Sequence, residues 1–363
     1  MRTLFLAALL LAGCNKGRGP DLSGYDDPKD AKAARPKGGL RQPRELAADG
    51  AAREVFFCFW NVENLFDDVD DKRGKRGDEI YDPWFAKNEE AREIKYDRVA
   101  SVLARMNGGK GPDIIALAEV ESRRACELLV KAINAKLDDP KLHYVTIVFE
   151  DFGGGRDIGT PVITRLPVGS KRGKVLGNRM RIMETHVVVN GHDLAVIASH
   201  WSSRISDKTG ATRGKYADQI HGRFRAMLKA DPRAALVVCG DFNDEPDEPS
   251  VAKHLKAVKD IDAVRKGDEP LLWHALWKQF EAGEGTHFYR KMHLFDHLCL
   301  SPGLLGGGSW EAVEGSAAIV PEIADDKGRP NRFGGPSDKR AYSRRGASDH
   351  FPVTIKLKVA AAK

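Results

Sequence analysis

Val237-Val238-Cys239-Gly240-Asp241-Phe242-Asn243-Asp244 is the stretch on which the fold turns. An apolar run from 234 to 239 is short, continuous and partly β-branched, which predicts a buried strand. It stops at Gly240, and two polar side chains of complementary type follow. Asp241 is an acceptor and potential base, whereas Asn243 offers both a donor and an acceptor. With one residue between them they can project the same way where a strand ends. Taken alone, Asp-x-Asn reads as an Asx turn closing a strand. The same pattern elsewhere in the chain argues for more, because α/β proteins place ligands at the carboxyl ends of strands.

Outward from this stretch, four more apolar runs border polar groups. Residues 55–60 lead into Asn61, Glu63 and Asn64, and residues 113–118 end at Glu119. Residues 194–199 run into His200-Trp201, and Ser348-Asp349-His350 precedes a final strand at 351–359. A further strand at 292–300 carries Asp296. Helices are expected at 89–106, 122–137, 216–229, 249–258 and 271–280, and other strands at 143–150, 160–165, 182–189 and 193–199. The charged run 67–82 lacks calcium-loop spacing and reads as a surface loop.

Five apolar runs ending in carboxylate, amide or imidazole imply one polar site at a sheet edge. Oxygen ligands without cysteine or paired-histidine spacing favour a hard cation, Mg²⁺ or Mn²⁺. Glu119 is the first ligand by this reasoning, with Asn61 or Asp349 beside it. Ser348-Asp349-His350 invites a serine-triad reading, but neighbours entering a strand point to opposite faces, and no Gly-x-Ser-x-Gly elbow is present. The imidazole of His350 therefore needs a partner from another strand. Asp296, an acid inside an apolar run, must find a donor, so an Asp296–His350 pair is expected.

These residues resemble the endonuclease/exonuclease/phosphatase superfamily, the deoxyribonuclease I-like proteins. The matching pieces are Trp60-Asn61-Val62-Glu63-Asn64, Ala118-Glu119-Val120, Ser199-His200-Trp201, Gly240-Asp241-Phe242-Asn243, Asp296-His297 and Ser348-Asp349-His350. The resemblance implies an α/β (α+β) four-layer sandwich, with two mixed sheets face to face and helices outside. It implies Glu119 as principal metal ligand, with Asn61 nearby, Glu63 near a second metal position and Asp349 in support. Asp241 and Asn243 would orient water and phosphate. His350, held by Asp296, would be base or phosphate contact, and His200 would contact the phosphate or assist the leaving oxygen. Ala118 stands where many relatives have Gln, which removes an amide but not a ligand.

Residues 1–13 read as a lipoprotein signal peptide: Arg2, a short apolar stretch, then Leu11-Ala12-Gly13-Cys14, with Cys14 the acylated residue. Residues 14–54, rich in Gly, Pro and charge, read as a flexible tether, and 55–359 as one catalytic domain. The expected location is exported and lipid-anchored to a bacterial membrane, on its periplasmic or cell-surface face. The expected form is a monomer that meets the membrane only through its lipid. Cys58, Cys126, Cys239 and Cys299 lack zinc spacing and read mostly as unpaired core residues. The chain of 363 residues carries a net charge of +6, which permits an anionic partner without demanding one.

Hydrolysis of a phosphodiester is thus the expected reaction, with DNA or RNA the first choice of substrate. Basic side chains follow His200 (Arg204, Lys208, Arg213, Lys215) and precede Asp349 (Arg332, Lys339, Arg340, Arg344, Arg345). Of these Arg204, Arg340, Arg344 and Arg345 are the chosen phosphate contacts. The opening Trp-Asn-Val-Glu-Asn-Leu-Phe also looks most like exported bacterial nuclease members. The alternatives are a phosphodiesterase or phosphatase on a small or lipid head group, and a surface-binding protein without turnover. No apolar hairpin suited to a bilayer is evident in the sequence, and the intact polar set argues against lost turnover.

Overall fold

The computed structural model describes residues 50–362, apart from 76, 153–155 and 171–172. In chain order the elements begin with β1 (Arg53–Leu65), α1 (Asp78–Lys87), α2 (Glu89–Gly109), β2 (Ile114–Val120), α3 (Arg123–Asn134), β3 (Thr146–Val148) and β4 (Val162–Thr164). Then come β5 (Lys174–Val175), β6 (Ile182–Val189), β7 (His192–His200), α4 (Ala211–Ala230), β8 (Leu236–Asp241) and β9 (Ala257–Val258). The last third holds α5 (Ile261–Lys266), β10 (Leu272–His274), α6 (Trp277–Glu281), β11 (His287–Tyr289), β12 (Lys291–His293) and β13 (Asp296–Leu300). It closes with β14 (Trp310–Ala312), β15 (Ala318–Ile319) and β16 (Val353–Val359).

Two mixed seven-stranded sheets carry the fold, as the sequence implied. One runs β14-β16-β1-β2-β4-β3 with β15 beside β16; the other runs β5-β6-β7-β8-β13-β10-β9. Their inner faces meet through alternate residues of the central strands: Phe57 and Phe59 of β1, Ala116 and Ala118 of β2, Val196 and Ala198 of β7, and Val237 and Cys239 of β8. The opposite face of the first sheet (Cys58, Trp60, Ile115, Leu117) is covered by α2 and α3. The opposite face of the second (Ile197, Leu236, Val238) is covered by α4. Strands buried on both faces must be apolar throughout, which is why they read as continuous runs rather than alternating ones.

Strand direction brings the site together. β1 and β2 are parallel, as are β7 and β8, whereas β16 is antiparallel to β1 and β13 to β8. The carboxyl ends of the parallel strands and the amino ends of β13 and β16 therefore share one edge. In register, His200 lies beside Asp241, and Asp241 beside Asp296.

The structure alters several expectations. β1 starts at Arg53, and Ala362 N–H donates to Gly50 O, so residues 50–54 belong to the fold rather than to the tether. The signal peptide, Cys14 and the rest of the tether lie outside the described residues. β8 does not stop at Gly240 but pairs through Asp241. Any Cβ at Gly240 would lie 2.2 Å from Ser199 O and 2.7 Å from Phe242, so glycine is a packing requirement there. Residues 271–280 divide into β10 and α6, because Leu272 and Trp273 pair with Ala257 and Val258. The helix at 249–258 is a single π-turn, 250–255. The loop at 67–82 gives way to α1 at Asp78. The four described cysteines are buried and free, as their apolar surroundings suggested. No helix among the described residues is long and apolar enough to cross a membrane.

Candidate active site

The shared edge gathers Asn61, Glu119, His200, Asp241, Asp296 and His350. His350 Nδ1 donates to Asp296 Oδ2 at 2.7 Å, and its Nε2 faces Asp241 Oδ2 at 3.9 Å. Asp296 is fully buried, so its charge survives only beside a cation. Burial works against the imidazolium, but Asp296, Asp241 and Asp349 overcome it and raise the His350 pKa well above its usual value. At neutral pH this histidine is a held cation. His200 is the opposite case: burial and the positive charges of Arg181, Arg156 and His350 push it well below its usual value. Its Nε2 stands 3.6 Å from Asp241 and 3.9 Å from Glu119 as a neutral imidazole.

Asp241 is the centre. Asn61 Nδ2 donates to its Oδ2 at 2.9 Å, and the Asn243 backbone N–H donates to its Oδ1 at 3.0 Å. Burial raises its pKa, His350 opposes that, and Asp296 adds to it. Asn243 lies on the same turn, but its Nδ2 donates to Trp201 O at 3.2 Å. Its side chain therefore braces two strand ends.

Glu119 has φ +63°, a left-handed conformation that a glutamate adopts only where its surroundings enforce it. Its Oε1 accepts from Asn61 Nδ2 at 3.4 Å and its Oε2 from the Asn64 N–H at 3.0 Å. Burial would protonate it, yet Arg156, His350 and these two donors win, and its pKa is lowered. An anionic carboxylate with one donor per oxygen retains lone pairs for a hard cation. This carboxylate thus fits a hard divalent cation such as Mg²⁺ or Mn²⁺, which Glu119 would hold.

Two expected ligands are placed differently. Asn61 turns its nitrogen, not its oxygen, toward Glu119 and Asp241, while its Oδ1 accepts the Glu63 N–H at 3.1 Å. It bridges the two carboxylates as a donor. Glu63 turns its carboxylate to the main chain and an arginine of a neighbouring loop. Its Oε1 accepts from Gly334 N and Arg332 Nε, and its Oε2 accepts from Phe333 N at 2.6 Å. It pins the 332–334 loop, beside the fully buried Lys95, whose ammonium donates to Ala347 O at 2.6 Å. Asp349 belongs to this group: its charge, like that of Glu63, acts on Lys95 and Arg332. His287, Asp349 and His350 also bring one potential ligand atom each within 4.8 Å of one another. His350 is already committed to Asp296 and positively charged, which leaves this trio poorly suited to a cation.

The chosen phosphate-gripping arginines separate. Arg345 is buried and donates to the main-chain oxygens of Arg340, Gly335 and Asp338, with its guanidinium 4.7 Å from the Tyr342 ring centroid. It organises the loop and does not line a route to substrate. Arg340 is taken up by Asp338, Asn331 and Arg332 O. Arg204 is held by Glu248 and by Asn243 O. Arg344 alone of the four is exposed. Sequence reasoning missed Arg156, which donates to Asn64 Oδ1 at 2.6 Å and to Asp78 Oδ1 at 2.8 Å. It missed His287 too, whose ring lies 4.4 Å from that of His350. Arg156 lies in a loop and His287 opens a three-residue strand that no apolar run announces, so no local signal marked them.

A sheet-edge site of this composition on a four-layer sandwich defines a hydrolase of phosphoesters. The sequence profile of the Endonuclease/Exonuclease/phosphatase family matches residues 56–359, and the chain belongs to that family. Its members are generally dependent on divalent metals. Similar solved structures include an endonuclease/exonuclease/phosphatase family protein from Bacteroides thetaiotaomicron (15% identity, 85% of this chain and 98% of that one, TM-score 0.49). Two others are the mannosyl-6-phosphatase Bt3783 of B. thetaiotaomicron VPI-5482 (16%, 84% and 99%, 0.49) and D. rerio TDP2 complexed with single strand DNA product (14%, 84% and 98%, 0.48). A search of curated proteins finds no match.

Proposed function

We propose that this protein is a divalent-metal-dependent phosphodiester hydrolase, and within that class a nuclease working outside the cytoplasm. The observation that carries the reading is the convergence of Glu119, Asp241 and the Asp296–His350 pair, with neither the adjacent Ser348 nor any described cysteine free to attack. The Ser348 hydroxyl is engaged in donating to Asn61 O at 2.7 Å, and the described cysteines are buried. Water is therefore the attacking group. Asp241, oriented by Asn61 and by the Asn243 N–H, takes its proton. His350, kept cationic by Asp296, binds a phosphoryl oxygen. Neutral His200 contacts the phosphate on its other side. Glu119 would hold a divalent cation there, which when bound would supply Lewis-acid stabilisation of the phosphoryl charge and lower the pKa of water.

The nuclease reading rests on exposed cations at the rim, Arg344 together with Arg290 and Lys291. The test is hydrolysis of DNA, RNA, bis-p-nitrophenyl phosphate and p-nitrophenyl phosphate with Mg²⁺ or Mn²⁺. Cleavage of nucleic acid and the aryl diester, with little on the monoester, is expected. Activity confined to the monoester would replace the nuclease with a phosphatase.

A further inference from the structure

The β11–β12 hairpin has no assigned role and projects from the catalytic edge. Its base is fixed to the machinery. Thr286 is fully buried, its Oγ1 accepts the N–H groups of Phe295 and Asp296 at 3.1 Å, and its carbonyl accepts the Phe351 N–H. His287 forms a β-bridge with His350, and its Nδ1 donates to Asp349 O at 3.0 Å. Side chains alternate along a strand, so Tyr289 shares a face with His287. Two residues of strand place it roughly 7 Å further out, about the reach of one nucleotide from the reacting phosphate.

The hairpin's outer end is unlike the rest of the described surface. Among the described residues the exposed large hydrophobic side chains are Val69, Ile80, Ile205, Phe288 and Tyr289, so the exposed aromatic rings are both here. Tyr289 is 62% exposed. Beside it stand Arg290, with its guanidinium 5.4 Å from the Tyr289 centroid, and exposed Lys291. An exposed ring costs apolar hydration unless something covers it, and cations beside it select a flat, anionic partner.

We propose that this hairpin is a base-stacking subsite for single-stranded nucleic acid. Tyr289 is the platform, and Arg290 and Lys291 hold flanking phosphates. The proposal rests on the nuclease reading and extends it to strandedness: duplex bases are already stacked and offer no free face, whereas an unpaired base does. A lipid surface fits less well, because the tip is Arg290-Lys291 and charges are costly to insert among acyl chains.

The experiment measures KM of the full chain with Mg²⁺ on a single-stranded oligonucleotide and on its duplex. Tyr289→Ala and Tyr289→Leu should raise KM for the single strand about tenfold, whereas Tyr289→Phe, which keeps the ring, should stay within about twofold. The wild-type preference for the single strand should fall in the first two variants. Arg290→Gln with Lys291→Gln should flatten the salt dependence. Tyr289 is exposed, so thermal melts should show all variants folded. Leu serving as well as Phe, or no variant differing from wild type, would overturn the subsite while leaving the nuclease intact. So would hairpin-dependent binding to phosphatidylcholine–phosphatidylglycerol vesicles with unchanged oligonucleotide kinetics. A wild type inactive on all nucleic acid would remove the nuclease reading first, and the subsite with it.

Discussion

Single residues here do their work in pairs. His350 is a cation because Asp296 lies 2.7 Å away in a fully buried setting, and Asp296 is tolerable there for the same reason. His350→Ala and Asp296→Asn should each reduce kcat substantially, and the double variant should be little worse than His350→Ala alone. Losses that multiply would separate the two. Lys95 acts at a distance from the chemistry: it is wholly buried among Glu63, Asp349 and Ala347 O. Lys95→Met leaves those carboxylates uncompensated and should cost about 3–5 kcal/mol in urea unfolding. A variant as stable as wild type would show that the loop 332–349 is held by other means. Residue types were legible in the chain, but which atoms meet was not. Glu63 and Asn61 are of the right type for ligands, yet the Glu63 carboxylate receives N–H groups from a loop distant in sequence and the Asn61 oxygen receives the N–H of Glu63 itself.

At the scale of elements, the strands that build the site were readable because burial on both faces leaves no alternative to an unbroken apolar run. Two of them are β2 (Ile114–Val120) and β7 (His192–His200), which contain most of the apolar runs 113–118 and 194–199. Polar residues could enter only where those runs ended. Elements packed on one face or at the edge carried weaker signals. β10 is three residues long and exists through its pairing with β9 and β13, information that 271–280 does not contain. The β11–β12 hairpin was hidden in the same way, since residues 292–300 read as one strand although Leu294 and Phe295 divide β12 from β13. β6 makes a separate test. Asp193 and Glu184 hydrogen-bond His186 and raise its pKa from 6.5 to about 9, burial opposing. Burial would raise Glu184, but bonds from His186 and Arg223 lower it to about 2. A raised histidine stabilises fully below its unfolded value and loses that contribution as pH rises through the folded one. The stability gap between wild type and His186→Gln should therefore be large near pH 6, above the range where Glu184 protonates, and shrink through about pH 9. A gap that widens with pH would contradict the sign.

The whole molecule is a sandwich whose two sheets deliver polar residues to one rim. The inter-sheet layer of Phe57, Phe59, Val196, Val237 and Leu298 fixes the distance between them. Phe57→Ala should cost about 3–5 kcal/mol and lower activity through the rim's geometry. Residues 1–49 should be dispensable for catalysis, and Cys14→Ser should abolish incorporation of labelled fatty acid. Equal labelling of wild type and variant would refute the anchor. The proposed chemistry is water attack on a phosphodiester, aided by a hard cation that Glu119 would hold. Its most direct measurement is bis-p-nitrophenyl phosphate hydrolysis by the chain lacking residues 1–49, titrated with Mg²⁺ or Mn²⁺. The same preparation and its Glu119→Gln variant should be followed by calorimetric metal binding. Metal-dependent turnover, with both turnover and binding falling by about a hundredfold in Glu119→Gln, is the expected result. Full turnover in excess chelator, or unchanged metal binding by the variant, would contradict it.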